Sequence, residues 1–156
     1  MKRVSLVFII LFSFFILFPE SAEQSLLTFK YQATAIGEIS LAYRLQALTM
    51  SLAAANAAGS EYIEAILSET DSTIENAKSI ILAKNQNPDV LTKEIVSAFD
   101  QLLKCSGSIK KYSAAKEKNN RGEVEKCLEI SKKNIDKLTD AHYKIQNKNK
   151  SDGVKK

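Results

Sequence analysis

Cys105 and Cys127 are the two thiols of this 156-residue sequence, and a disulfide between them is the covalent chemistry that they could carry. They fall in two predicted helices joined by one turn, and antiparallel neighbours pair residues symmetrically about their turn. The turn is predicted near residue 120, which offsets the two cysteines by about 12 Å along the helix axis. A disulfide requires about 4.4–6.8 Å between Cα atoms. Three outcomes stay open: an intramolecular disulfide with the earlier helix ending near Tyr112, two buried thiols, or an intermolecular bridge through Cys127.

His142 and Met50 are the side chains that could ligate haem in a helical bundle. In an up-down-up-down bundle they lie near the ends of the first and fourth helices, which separates them by about 20–25 Å. A di-iron centre needs Glu three residues before its His, and Thr139 stands there. We therefore predict no cofactor and no metal site.

Motifs of known catalytic sites are missing from the sequence. It contains no glycine-rich nucleotide loop, no G-x-S-x-G nucleophile elbow and no H-E-x-x-H zinc motif. We therefore predict no catalytic residues and a protein that is not an enzyme.

The first 22 residues have the layout of a secretory signal peptide. A positive start, Met1-Lys2-Arg3, precedes an apolar run over residues 4–18, and Pro19-Glu20-Ser21-Ala22 follows. As a helix the run spans about 22 Å, short of the roughly 30 Å hydrocarbon core of a bilayer. The sequence predicts a signal peptide over residues 1–22 and a secreted or periplasmic protein. The protein would be membrane-anchored if this segment were not cleaved.

The remaining chain shows apolar residues at helical spacing and few helix-breaking residues. One seam runs from Leu91 to Tyr112, and another begins at Val124. These patterns predict an all-α protein, an up-down-up-down antiparallel four-helix bundle over residues 23–147. The helices are expected near 25–57, 60–85, 89–117 and 123–147, with a disordered basic tail over 148–156.

The first helix differs from the others because two stripes of its surface are apolar. One stripe consists of leucines: Leu26, Leu27, Leu41, Leu45, Leu48 and Leu52. The roughly opposite stripe consists of Phe29, Ile36, Ile39, Tyr43 and Met50. A helix that is apolar around most of its circumference is normally buried on most sides. We predict that the second stripe binds a partner; the alternative is a central first helix covered by its three neighbours.

Charge is distributed unevenly along the chain. Residues 23–100 carry 5 basic and 10 acidic side chains, whereas residues 101–156 carry 15 and 7. The basic half predicts an ordinary solvated surface; the alternative is weak binding to anionic surfaces through Lys110, Lys111, Lys132 and Lys133. Lysines without interleaved aromatic residues do not favour specific nucleic-acid recognition.

Together these patterns predict an exported, non-enzymatic helical bundle. It would act by protein–protein binding or self-association through its apolar first helix. The alternatives are a membrane-tethered structural helical domain and a bundle that carries a small ligand.

Overall fold

The computed structural model describes residues 20–84, 88–115 and 118–153, and helices fill nearly all of these ranges. The helices are α1 (Glu20–Ala54), α2 (Ser60–Lys84), α3 (Val90–Ala115) and α4 (Lys118–Gly153). No strand occurs within these ranges, so the predicted all-helical bundle is confirmed. Of the predicted signal peptide, residues 1–19 lie outside the described residues, and residues 20–22 belong to α1.

The chain divides into two compact units, residues 1–31 and residues 32–156. The described part of the first unit is the beginning of α1, where Leu26 and Leu27 are exposed. The second unit contains the rest of α1 and the other three helices, and it is the bundle discussed below. Among the described helices, none is long and apolar enough to cross a bilayer.

The end of α1 is set by a left-handed residue, Asn56, whose φ is 53°. The Ala57 N–H donates to the Leu52 carbonyl at 2.9 Å, and the Asn56 N–H donates to the Ala53 carbonyl at 3.3 Å. This is the hydrogen-bond pattern of a Schellman motif, in which asparagine tolerates the left-handed conformation better than most residues. The helix therefore ends at Ala54, three residues before the predicted end at residue 57.

The start of α3 is capped by Asp89. Its carboxylate accepts the Thr92 N–H at 2.7 Å, the usual bond of an N-cap residue to the third residue of the helix. The Gln32 amide of α1 donates to the same carboxylate at 3.0 Å and to the Thr92 hydroxyl at 3.0 Å. Burial alone would raise the pKa of Asp89, but these hydrogen bonds from Thr92 and Gln32 hold it below the ordinary value.

The junction between α3 and α4 is shorter than predicted. α3 ends at Ala115 and α4 begins at Lys118, not at residue 123, so Gly122 lies inside a helix. A glycine within a helix costs about 1 kcal/mol relative to alanine. The rest of α4 offsets this cost, so the helix break that the Asn-Asn-Arg-Gly segment predicts does not occur.

The predicted disordered tail is partly wrong, because α4 continues to Gly153. Residues 148–153 contain no proline, and Gly153 is the first glycine after Gly122. The helix α4 therefore continues through residues 148–153 although they are polar. Residues 154–156 of the predicted tail lie outside the described residues.

Contacts between helices define their directions. Lys78 of α2 pairs with Asp100 of α3, and Lys110 of α3 pairs with Asp71 of α2 at 2.9 Å. The later residue on one helix thus meets the earlier residue on the other, as antiparallel neighbours do. Gln32 bonds to Asp89 and Gln46 bonds to Leu102, so α1 runs parallel to α3. α4 packs antiparallel to α3, as shown below by its cysteine.

The core consists of two apolar clusters, and all four helices contribute to each. The first cluster contains the following buried residues: Ala35, Ile36, Ile39 and Ala42 of α1, Ile74 and Ile81 of α2, Leu91, Ile95, Ala98, Phe99 and Leu102 of α3, and Leu138 of α4. The second contains Met50 and Ala53 of α1, Ile63 and Leu67 of α2, Ile109 and Tyr112 of α3, and Val124 of α4. α3 contributes buried residues along its whole length and supplies the largest fully buried side chain among the described residues, Phe99.

Candidate functional site

A buried polar layer separates the two apolar clusters. On every helix, the buried residues that lie between the two clusters in sequence are polar or cysteine. They are Gln46 and Thr49 on α1, Thr70 on α2, Cys105 and Ser106 on α3, and Cys127 and Ser131 on α4. Buried polar groups cost free energy unless they are hydrogen-bonded, so this layer constrains which residues may face one another.

Gln46 is the largest polar side chain in the layer and is fully buried. Its amide nitrogen donates to the Leu102 carbonyl of α3 at 2.8 Å. Its Oε1 atom and the Ser106 hydroxyl, which lies one turn beyond Leu102, have no protein hydrogen-bond partner. This part of the layer thus ties α1 to α3 while leaving two buried polar atoms unsatisfied by protein groups.

The two cysteines lie in the same layer, at disulfide distance. Their Cα atoms are 5.6 Å apart, within the range that a disulfide requires. Position 116, halfway between 105 and 127, falls after the end of α3 at Ala115 and before the start of α4 at Lys118, so the antiparallel register places the two cysteines opposite each other. The expected offset of about 12 Å was wrong because the predicted turn was centred too late, and α3 need not end near Tyr112.

Polar side chains surround the two sulfur atoms. The Gln101 amide donates to the Cys127 sulfur at 3.1 Å, and the Ser131 hydroxyl lies 3.4 Å from the Cys105 sulfur. Cys105 is fully buried and Cys127 nearly so. The pair therefore links α3 to α4 in the interior, where solvent has little access. The sequence signal for this layer was the presence of Cys105 and Ser131 on otherwise apolar seams.

No protein-family model matches the sequence, and neither the curated proteins nor the solved structures contain a match. Within the described residues, no group of three or more His, Cys, Asp or Glu side chains is placed to hold a metal ion.

The predicted partner-binding stripe of α1 faces the chain's own core. Ile39 is fully buried, Ile36 and Met50 are also buried, and Tyr43 packs against the first cluster. Apolar residues alone could not show which of the two stripes of α1 faces the core. Small residues on the inward side, Ala35, Ala42 and Thr49 at intervals of seven, allow neighbouring helices to approach closely. Phe29, the fifth predicted residue, belongs to the N-terminal unit and is partly buried there.

The opposite stripe is the exposed one, and we call Leu41, Leu45, Leu48 and Leu52 the leucine face. Leu41 is 53%, Leu45 36% and Leu48 57% exposed, while Leu52 is partly buried. From residue 39 to residue 60 the chain carries a single charged side chain, Arg44. A row of exposed leucines with a single charged residue beside it is unusual for a surface that faces only water.

A groove between α1 and α2 borders the leucine face. It encloses about 250 Å³ and is lined by Glu38, Leu41, Ala42 and Leu45 of α1 and by Ile66, Glu69, Thr70 and Thr73 of α2. The hydroxyls of Thr70 and Thr73 donate to carbonyls of their own helix, at 2.8 Å and 3.1 Å. Because the hydroxyls are used within α2, the groove offers an arriving side chain mostly apolar contacts, with a carboxylate on each helix.

The predicted basic surface is partly neutralised within the chain. Lys110 pairs with Asp71 at 2.9 Å, and Lys133 pairs with Glu129 at 2.7 Å. Lys111 and Lys132 are exposed. Binding to anionic surfaces stays a prediction, and it would have to compete with these ion pairs.

Proposed function

We propose that this chain is an exported helical-bundle protein that acts by docking an apolar protein helix on its leucine face. The observation that carries the proposal is the exposure of Leu41, Leu45 and Leu48 on a helix face with one charged side chain. The exposed parts of these leucines contribute nothing to the packing of the chain's own core, which the other side of α1 fills. Covering them with another helix removes apolar surface from water, which is the main favourable term in most protein association.

The size of the effect suits a reversible interaction. Full burial of a leucine contributes about 1.5–3 kcal/mol, and the three exposed leucines are already about half covered. Covering the rest contributes roughly 1 kcal/mol each, before the groove adds its share. Association itself costs several kcal/mol, so the leucine face alone supports moderate affinity.

Export is supported by two independent features. The N-terminal segment has the charge and hydropathy pattern of a signal peptide. Cys105 and Cys127 lie at disulfide distance, and disulfides persist in secreted and periplasmic proteins. We propose that the pair is oxidised in the mature protein. An intact mass of the protein recovered from its secretory route would show both the cleavage near residue 22 and the loss of two hydrogens.

Site-specific photo-crosslinking in the producing cells tests the docking function. A photoreactive phenylalanine analogue replaces Leu48 on the leucine face, and in a matched control it replaces Val90, which is 74% exposed at the start of α3. We expect a discrete protein adduct from position 48 and none from position 90. If position 48 yields no protein adduct, or both positions yield the same ones, the proposed function is wrong.

A further inference from the structure

We infer that the helix docked on the leucine face is basic, and that the groove between α1 and α2 takes a Lys or Arg side chain from it. This inference rests on the proposed docking function and specifies the chemistry of the partner. Three features carry it: the size and apolar lining of the groove, the two carboxylates that flank it, and the charge of α2.

The groove has the size and lining that the stem of a long side chain requires. Its volume of about 250 Å³ compares with about 30 Å³ for a water molecule in the liquid, so it has room for a lysine or an arginine side chain. Leu41, Ala42 and Leu45 line it from α1, and Ile66 lines it from α2. Lysine and arginine bury their methylene stems against such apolar surfaces while the charged group stays at a polar edge.

Glu38 and Glu69 supply the polar edges of the groove. Antiparallel pairing about the turn between Ala54 and Ser60 places Glu69 about level with Leu45, two helical turns or about 10 Å from Glu38 along the axis of α1. Among the described residues, neither carboxylate is paired with a Lys or Arg side chain. A cationic group on a stem in the groove therefore has a carboxylate acceptor toward either end.

These carboxylates select against a partner that is purely apolar or acidic. Glu38 is already partly buried, and an apolar side chain placed over it would remove more of its water without a compensating charge. An acidic side chain would add repulsion from both carboxylates. A cation compensates for the lost water, so the groove distinguishes apolar helices by the charge beside their apolar stripe.

The charge of α2 favours the same kind of partner. From Ser60 to Ala77 this helix carries five acidic side chains and no basic one. The single cation near the leucine face, Arg44, does not line the groove; it lies four residues before Leu48, on the flank of the face away from Glu38. The resulting negative potential beside the groove attracts a basic helix, and salt screens that attraction.

Two synthetic helical peptides test the preference. They share one leucine stripe and carry either lysine or glutamate at two flanking positions, two helical turns apart. Fluorescence anisotropy measures the Kd of each labelled peptide for the full exported chain at low salt. We expect the lysine peptide to bind about tenfold more tightly, because an ion pair at a protein surface contributes up to about fivefold in affinity. The preference should shrink as the salt concentration rises.

Variants of the groove show whether its carboxylates cause the preference. Glu38→Gln with Glu69→Gln should bind the two peptides equally well. The matched control, Glu64→Gln with Glu75→Gln, removes the same charge from exposed positions on the side of α2 that carries Asp71 and its ion pair to α3, and it should keep the preference. The inference is overturned if the native protein binds both peptides equally, if it binds neither, or if the preference survives the loss of Glu38 and Glu69.

Mass spectrometry of the photo-crosslinked adduct at Leu48 separates this inference from the function on which it rests. A captured helix with Lys or Arg beside its apolar stripe supports both. A captured helix whose flanking residues are neutral or acidic supports the docking function and overturns the basic partner. The absence of any protein adduct overturns both.

Discussion

Reduction of the Cys105–Cys127 pair should lower the free energy of unfolding by about 3 kcal/mol. The two residues are 22 positions apart, and a cross-link that closes a loop of this length restricts the unfolded chain by about that amount at 25 °C. The folded state should change little, since buried thiols pack as small apolar groups and the contacts with Gln101 and Ser131 can persist. For a bundle of this length, 3 kcal/mol corresponds to a fall in Tm of roughly 10 °C.

Urea unfolding followed by far-ultraviolet circular dichroism, with and without a thiol reductant, measures this difference. The slope of the transition should also rise on reduction, because the unfolded chain without its cross-link exposes more surface. A double variant, Cys105→Ala with Cys127→Ala, is the control and should unfold at the same urea concentration in both conditions.

The reasoning fails if the reductant changes the free energy of unfolding of the native protein by less than about 1 kcal/mol. It also fails if the control responds to the reductant as strongly as the native protein. Either result would mean that the pair does not constrain the unfolded chain in the way its loop length requires.

Three further predictions concern helix ends and the polar layer. Gln46→Met should change the free energy of unfolding by less than about 1 kcal/mol or raise it, because the substitution removes one hydrogen bond but also a buried oxygen that has no protein partner. Thermal melts measure this change, and a larger loss of stability contradicts the prediction. Asp89→Ala should cost about 1 kcal/mol at pH 7. Because folding lowers the pKa of Asp89, its carboxylate stabilises the folded state fully at pH values above the unfolded pKa of 3.8. The difference in free energy of unfolding between the native protein and Asp89→Ala should therefore shrink as pH falls through the lower folded pKa. A difference that does not depend on pH contradicts this. Asn56→Ala should cost about 1 kcal/mol and Asn56→Gly less, since only the former strains a left-handed residue, and equal losses in urea titrations would contradict that.

The helical class was predictable because apolar spacing is a property of the chain alone. The seam from Leu91 through Ile95, Leu102 and Ile109 to Tyr112 is buried along α3 as its spacing predicts. Helix ends were harder to place, since they depend on small differences in free energy. The segment around Gly122 has turn-forming residues, yet it is helical, and Val124, two residues later, is buried in the second cluster.

The orientation of α1 could not be derived from apolar residues alone. Its two stripes are similar in hydropathy, and burial depends on which one the other three helices can approach closely. The inward side carries Gln32 and Gln46, which a rule based on hydropathy assigns to solvent. Their hydrogen bonds to Asp89 and Leu102 depend on residues more than fifty positions away, so no local pattern reveals them.

The buried layer of polar side chains divides the interior of this bundle into two apolar halves. We expect amide hydrogens on the two sides of the layer to exchange with solvent as two separate groups, which hydrogen exchange would measure. A link between Cys105 and Cys127 lies within that layer and joins α3 to α4, whereas α1 is held to α3 there by the hydrogen bond from Gln46 to the Leu102 carbonyl. Leu45 and Leu48 lie on the outside of α1 on either side of Gln46, so a partner bound to them covers the helix at the level of the polar layer.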